Sequence, residues 1–213
     1  MINKDTIEGG PSATPPTRIR LSHPADLPQL YRICLHTADS GQPAEALFND
    51  PDLPGLLYMA PYVAGAPEHA FSLVRAGRAL GYIVGTPDSH RFSRWLSEHW
   101  WPTLRERVQS ASAPGSRLEA HVRDQITQPL PVPEVAQDYP AHLHINLLPE
   151  AQGGGNGGKL MSAFLDSLRQ QGVRGVHLIL SADNERALGF YRKIGFREWP
   201  DSEPDSITMV RSL

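Results

Sequence analysis

HLHINLLPEAQGGGNGG, residues 142–158, is the stretch from which the fold is read. Alternation up to Leu148 suits a β-strand, Pro149 turns the chain, and a glycine run opens into a helical pattern that begins at Lys159. Strand, glycine loop and helix in that order form a cradle for a pyrophosphate. Backbone N–H groups freed of side-chain bulk close around the anion, and the helix N-terminus adds partial positive charge. The stretch therefore predicts a site for a phosphate-bearing small molecule.

Downstream, Leu160, Met161, Phe164, Leu165 and Leu168 form the apolar stripe of a helix that Gly172 ends. Gly175–Ser181 (GVHLILS) is almost continuously apolar, as a central strand covered on both faces is. Asn184–Ile194 reads as the last helix, with Ala187, Phe190, Tyr191 and Ile194 on one face. Phe196–Trp199 and Ile207–Ser212 then close the sheet as a hairpin. Upstream, Arg18–Leu21 is a short strand, and Leu27, Leu30, Tyr31 and Cys34 recur at helical spacing after a cap at Ser22 or Asp26. Ala70–Arg75 and Arg78–Thr86 read as an antiparallel hairpin around Ala76 and Gly77. Phe92, Trp95, Leu96, His99 and Trp100 mark a helix that Pro102 kinks or restarts. Asp39–Pro67 reads as a long functional loop, whose apolar islands at Leu47–Phe48 and Leu56–Met59 can form a short helix, and Ser110–Pro140 as irregular chain with a short strand at LEAHV, Leu118–Val122.

At 213 residues the chain suits one medium domain, with residues 1–17 as a polar, flexible lead and residues 18–213 as the folded part. Apolar residues at 40%, charged residues at 20% and a net charge of -3 argue against nucleic acid and membrane surfaces and favour a small-molecule partner. The lone Cys34 excludes an internal disulfide and a cysteine zinc site, and suits a reducing compartment. No apolar run approaches the roughly 18 residues of a membrane span, and no signal-peptide core is present, so a cytoplasmic location is expected.

Three readings of the glycine run compete. A linker does not suit a position between a strong strand and a strong helix. A nucleotide P-loop matches Gly153, Gly158 and Lys159, but Leu160 stands where a magnesium-binding hydroxyl is required. In the third, Gln152, Gly155 and Gly157 fit Q/R-x-x-G-x-G/A, and Asn184–Phe196 (NERALGFYRKIGF) follows one helix and one strand later as N-x-x-A-x-x-F-Y-x-x-x-G-F. In these two motifs the chain resembles the Gcn5-related N-acetyltransferase (GNAT) superfamily. Within it, the strand before the loop and the terminal VRSL are similar to bacterial relatives of the acetyltransferase-like C-terminal region of O-GlcNAc hydrolases. Those relatives often carry an acid where this chain has Asn146.

The resemblance implies an α/β fold: a mixed, mainly antiparallel sheet of six or seven strands flanked by helices. It implies transfer of an acetyl group from acetyl-CoA directly to an amine, with no metal. The cofactor would lie against Leu147, Leu148, Gln152, Gly153, Gly154, Gly155, Asn156, Gly157, Gly158, Asn184, Ala187, Phe190 and Tyr191. Tyr191 stands where the family's proton donor to the leaving thiolate stands. His142 and His144 share one strand face and are suited to proton transfer near neutrality, and they are similar to the histidine pair of arylalkylamine acetyltransferases. His177 and Asp183 are further candidates for the base, as is a water chain. The superfamily also makes a homodimer plausible. The alternative is a catalytically silent domain that binds CoA or a protein partner. The segments that would shape the acceptor pocket, Asp39–Pro67 and Phe92–Pro140, match no pattern, so peptide, aminosugar and small amine all stay open as acceptors.

Overall fold

Ala79 to Thr86 are all buried in the computed structural model, which describes residues 15–200 and 205–213. This run, β3 (Arg78–Thr86), lies inside the sheet and pairs antiparallel with β2 (Phe71–Arg75) and β4 (Ala141–Leu147). β1 (Arg18–Leu21) covers β2, and beyond β4 lie β5 (Gly175–Ser181), β7 (Ser206–Ser212) and β6 (Arg197–Glu198). The described residues thus form one seven-stranded sheet in the order β1-β2-β3-β4-β5-β7-β6. Only the β4–β5 pair is parallel, so the sheet is mixed and mainly antiparallel, as expected. The first fourteen residues of the lead at 1–17 lie outside the described residues. So do residues 201–204 within the closing hairpin.

Helices cover both faces. Gly85 and Leu143 pair across β3 and β4, and the space a Cβ at Gly85 would fill holds the ring of Phe164. That face therefore carries α7 (Asn156–Gln170), whose Leu160, Phe164 and Leu168 are wholly buried. The opposite face carries His142, His144 and Asn146 and lies under α1 (Leu27–Leu35), α3 (Ala60–Gly65) and α4 (Ser89–Trp95). The main core joins Leu30, Ile33, Met59, Ile83, Phe164 and Met209 across the sheet.

Two expectations are revised, on Leu118–Val122 and on the cap of α1, and two are resolved. Leu118–Val122 is not a strand. It lies in α6 (Arg117–Thr127), where Ser116 caps the first turn through Glu119 N–H and a buried i, i+4 pair, Glu119–Arg123, closes at 2.6 Å. Asp39–Pro67 holds two short helices where its apolar islands allowed one: α2 (Leu53–Tyr58) and α3 fold within it, each with proline in its first turn. Pro102 both restarts and deforms its helix: a π-helical segment, Leu96–Trp100, joins α4 to α5 (Trp101–Gln109). Neither expected cap serves α1. Ser22 Oγ instead meets Ser72 Oγ at 2.8 Å, and the Asp26 carboxylate takes His23 N–H and the Arg20 guanidinium. From α2, α5, α6 and the chain before them, Phe48, Leu53, Trp101, Leu104, Val122 and Ile126 build a second core beside the first. No helix among the described residues is long and apolar enough to cross a membrane.

Candidate active site

β4 and β5 pair only at Ala141–Val176 and His142–His177. Beyond those positions β4 stays in register with β3 as far as Leu147, while β5 stays with β7 as far as Ser181. Two strands held by different neighbours must part, and the ladder between them stops at His142. Along the parting, the β4 edge toward β5 has no ladder partner among the described residues, and an extended ligand can complete it as a strand would.

The glycine loop stands at the far end of β4. Gly153 and Gly155 take positive φ, 84° and 76°, so the loop can turn tightly enough to aim its amides outward. α7 starts with Gly155 at its N-cap, which supplies no side-chain acceptor, so the first-turn N–H groups are left for a ligand. The Gln152 side chain ties the loop down by donating to the Leu147 carbonyl at 2.8 Å, and its amide oxygen takes a bond from Arg186. Asn156 turns inward: its side chain donates to the Ala151 carbonyl at 2.9 Å and accepts from Thr17 at 3.1 Å. Only its backbone can serve a ligand. Gly157 admits the ring of Phe190, which a Cβ there would meet at 3.3 Å, so this glycine sets how closely α7 approaches α8 (Glu185–Lys193). Asn184 caps α8 by accepting from Ala187 N–H at 3.0 Å. Leu148 is buried, whereas Leu147, Ala187 and Phe190 are half-buried against the core. Gly154 completes the loop, and Gly158 lies in the first turn of α7, which begins at Asn156 rather than at the expected Lys159.

Tyr191 lies on α8, its ring between Phe190 and Phe196. Burial pushes its phenol well above the ordinary value, which keeps the proton in place. Asp183 is exposed and is not part of the wall described next.

The histidines occupy a cavity of about 260 Å³ against the parting strands. Ser89 Oγ donates to the Pro140 carbonyl at 2.7 Å and so presents a lone pair to His142 Nδ1 at 2.6 Å. His142 Nδ1 therefore carries the proton, and Nε2 accepts from the Tyr62 hydroxyl at 2.8 Å. The same phenol oxygen accepts from His144 Nε2 at 3.2 Å. These directions assign the tautomers: both nitrogens of His142 are engaged, and Nδ1 of His144 keeps a free lone pair, with no hydrogen bond among the described residues. His177 abuts His142, ring centroids 5.7 Å apart, and its Nδ1 is held by the Tyr139 carbonyl at 2.6 Å. Desolvation lowers the pKa of all three. His142 falls furthest, helped by its two histidine neighbours, and His144 falls to about 4. No group of His, Cys, Asp and Glu among the described residues could hold a metal ion.

Tyr62, Ser89, Arg186 and Thr17 join this arrangement without having been marked in the sequence. Arg186 lies inside the second motif and could have been suspected from its charge. Tyr62, however, reaches His142 across 80 positions of sequence, and no local pattern signals that. Asn146 turns to Thr37 Oγ1 at 2.6 Å and presents no carboxylate.

Residues 121–196 match the Acetyltransferase (GNAT) family. The chain is 37% identical to the protein in the crystal structure of SsHAT, with a TM-score of 0.84 over 93% of this chain and 98% of that one. It is 25% identical to the Protein O-GlcNAcase of Rattus norvegicus over 95% of this chain and 23% of that protein. A mycothiol acetyltransferase of Pseudarthrobacter chlorophenolicus is 26% identical over 82% of this chain and 51% of its own length. The chain thus spans less than a quarter of the O-GlcNAcase and about half of the mycothiol acetyltransferase.

Proposed function

Because the chain belongs to the acetyltransferase (GNAT) family, we propose that it transfers an acetyl group from acetyl-CoA directly to an amine where β4 parts from β5. The observation that carries this reading is the parting itself, with an uncapped glycine loop at one end and two histidines on the adjoining wall.

The residues present suit the co-substrate. The open edge of β4 near Leu147 and Leu148 would take the amides of the pantetheine arm, and the backbone from Gln152 to Gly158 would hold the pyrophosphate. Arg186, beside Gln152, adds a positive charge there. Acetyl-CoA, when bound, supplies an activated acyl thioester.

The chain's own chemistry concerns protons. An amine reacts only with its lone pair free, so its ammonium must lose a proton. Nδ1 of His144 is the acceptor we assign, since both nitrogens of His142 are already in use. Ser89, His142 and Tyr62 stand behind it as a chain that fixes its tautomer. At its opposite end the reaction needs a proton for a departing thiolate, and Tyr191 holds one at Oη.

One observation favours the silent reading. A histidine near pKa 4 is a weak base at neutral pH, which suits a domain that binds CoA without turnover. The same desolvation would lower the pKa of an amine entering the cavity, so base and substrate would shift together. Calorimetry with acetyl-CoA tests binding, and release of the CoA thiol in the presence of amines tests transfer. Binding with transfer supports the enzyme. Binding without transfer to any amine supports the silent domain, and no binding removes both.

A further inference from the structure

The cavity beside His144 has a chemical character of its own. Rings of Tyr58, Tyr62, Phe92 and Trp101 face it, and a proline-rich strap, Pro129–Pro133, closes one side. Among the described residues, no Asp, Glu, Lys or Arg lines it. The polar groups present are largely spent on each other: the Tyr58 hydroxyl bonds Gln125 at 3.1 Å, and Ser89, Tyr62 and the histidines form the chain described above. Three large hydrophobic side chains are exposed on the described surface, and two of them, Leu130 at 73% and Ile179 at 53%, stand on this wall. Apolar side chains left in water around one concavity mark a surface for an apolar ligand.

We infer that the acceptor is a primary amine carried on a single aromatic ring or an uncharged apolar body of similar size. This rests on reading the site as an acetyltransferase. A second ammonium would find no carboxylate here, and a carboxylate would find no cation, so either would be desolvated without compensation. Sugar hydroxyls would exchange water for rings and prolines. The volume, about 260 Å³, lies just below the roughly 300 Å³ at which pockets for drug-sized ligands begin, which suits a one-ring amine.

The test uses the full chain with acetyl-CoA and five amines: 2-phenylethylamine, phenylalanine, spermidine, glucosamine and a lysine-containing peptide. The expected kcat/KM for 2-phenylethylamine is at least about 100-fold above each of the others, because a site built without polar partners rejects them. Leu130→Glu places a carboxylate on the wall at an exposed position, where folding tolerates it. It should lower kcat/KM for 2-phenylethylamine by about 10-fold and raise that for spermidine, at unchanged Tm. If spermidine, glucosamine, phenylalanine or the peptide is used as well as 2-phenylethylamine, the inference is overturned while the acetyltransferase reading stands. Binding of acetyl-CoA with no transfer to 2-phenylethylamine overturns it too. Absence of acetyl-CoA binding by calorimetry overturns the functional reading and the inference together.

Discussion

His144 is distinguished from His142, two residues away on the same strand face, by what its second nitrogen does. His142 spends Nδ1 on Ser89 and Nε2 on Tyr62, whereas His144 keeps Nδ1 free. Replacing His144 by Ala is therefore expected to lower kcat by about 100-fold or more, the range for loss of a positioned base. Replacing Ser89 by Ala should act less, through the tautomer of the chain. Steady-state kinetics with a saturating amine distinguish them, and equal losses would contradict the assignment. An NMR titration of the free protein gives the second check. The His144 ring is expected to stay neutral as pH falls past the ordinary 6.5 and to change near 4, because desolvation disfavours its cationic form. At Tyr191, Phe should reduce turnover more than it reduces acetyl-CoA affinity. Calorimetry beside kinetics would expose the reverse pattern, which would make the ring a packing residue between Phe190 and Phe196.

The loop and the two helices packed beside it, α7 and α8, work as one element. Gly155 at φ 76° lies in a region that L side chains enter at a cost of roughly 1–2 kcal/mol, more for a β-branched one. Gly155→Val should therefore weaken acetyl-CoA binding by about 10-fold or more, as an isothermal titration would read, through the backbone strain, since a Cβ there meets no neighbour within 4 Å. Gly157→Val acts differently. Its side chain would meet Phe190 at close range and push α8 from α7, so it should lower Tm as well as affinity. On the other face, the π-helical turn before α5 brings Leu96 and Trp101 to the cavity wall, and α2, α5 and α6 share the small core behind them. The cavity proposed for the acceptor is thus built on a helical subcluster, and the region proposed for the cofactor on strand and loop.

Ligand and pH act on the stability of the whole molecule. Acetyl-CoA at 100 times its Kd is expected to add about 2.7 kcal/mol and raise Tm, while Mg-ATP should not. Acid acts through groups whose folded pKa is lowered. His142, His144 and His177 stay neturalised by desolvation in the folded chain but protonate near 6.5 when unfolded, so their share of stability is full above about 6.5 and is lost as pH falls below it. Burial opposes the charge of Glu119, but bonds from Asn49 and Gly115 N–H and from Arg123 prevail and lower its pKa; Arg20 does the same for Asp26. Their contribution disappears further down, below about 4. Calorimetric Tm should therefore be flat near neutrality and fall in acid from about pH 6.5, and equal stability at about pH 5 and 7 would contradict it. Glu119→Ala leaves Arg123 buried without its carboxylate and is expected to cost roughly 3–5 kcal/mol in denaturant unfolding.

Much of this was legible in the chain because it depends on local spacing. Strand β4, the glycine loop, α7, β5 and α8 follow one another without a long insertion, and the residues that turn, cap and fill them stand within a few positions of each other. Asn184 capping Ala187 and the β2–β3 hairpin around Ala76 and Gly77 are of this kind. The histidine pair was legible too, since a period of two places His142 and His144 on one face. The strands, the helices that follow β4 and the place of the glycine loop were thus readable from the chain alone. Local spacing allowed a short helix in Asp39–Pro67 without fixing the two that form, and it misread Leu118–Val122, whose helix is stabilised by packing and by the buried Glu119–Arg123 pair. Packing in three dimensions settled which histidine has a free nitrogen, that Asn156 turns inward, and that no Asp, Glu, Lys or Arg among the described residues lines the cavity. Each depends on partners such as Tyr62, Ser89 and Thr17 that are remote in sequence, and hydrogen bonding and desolvation are set by those neighbours in space.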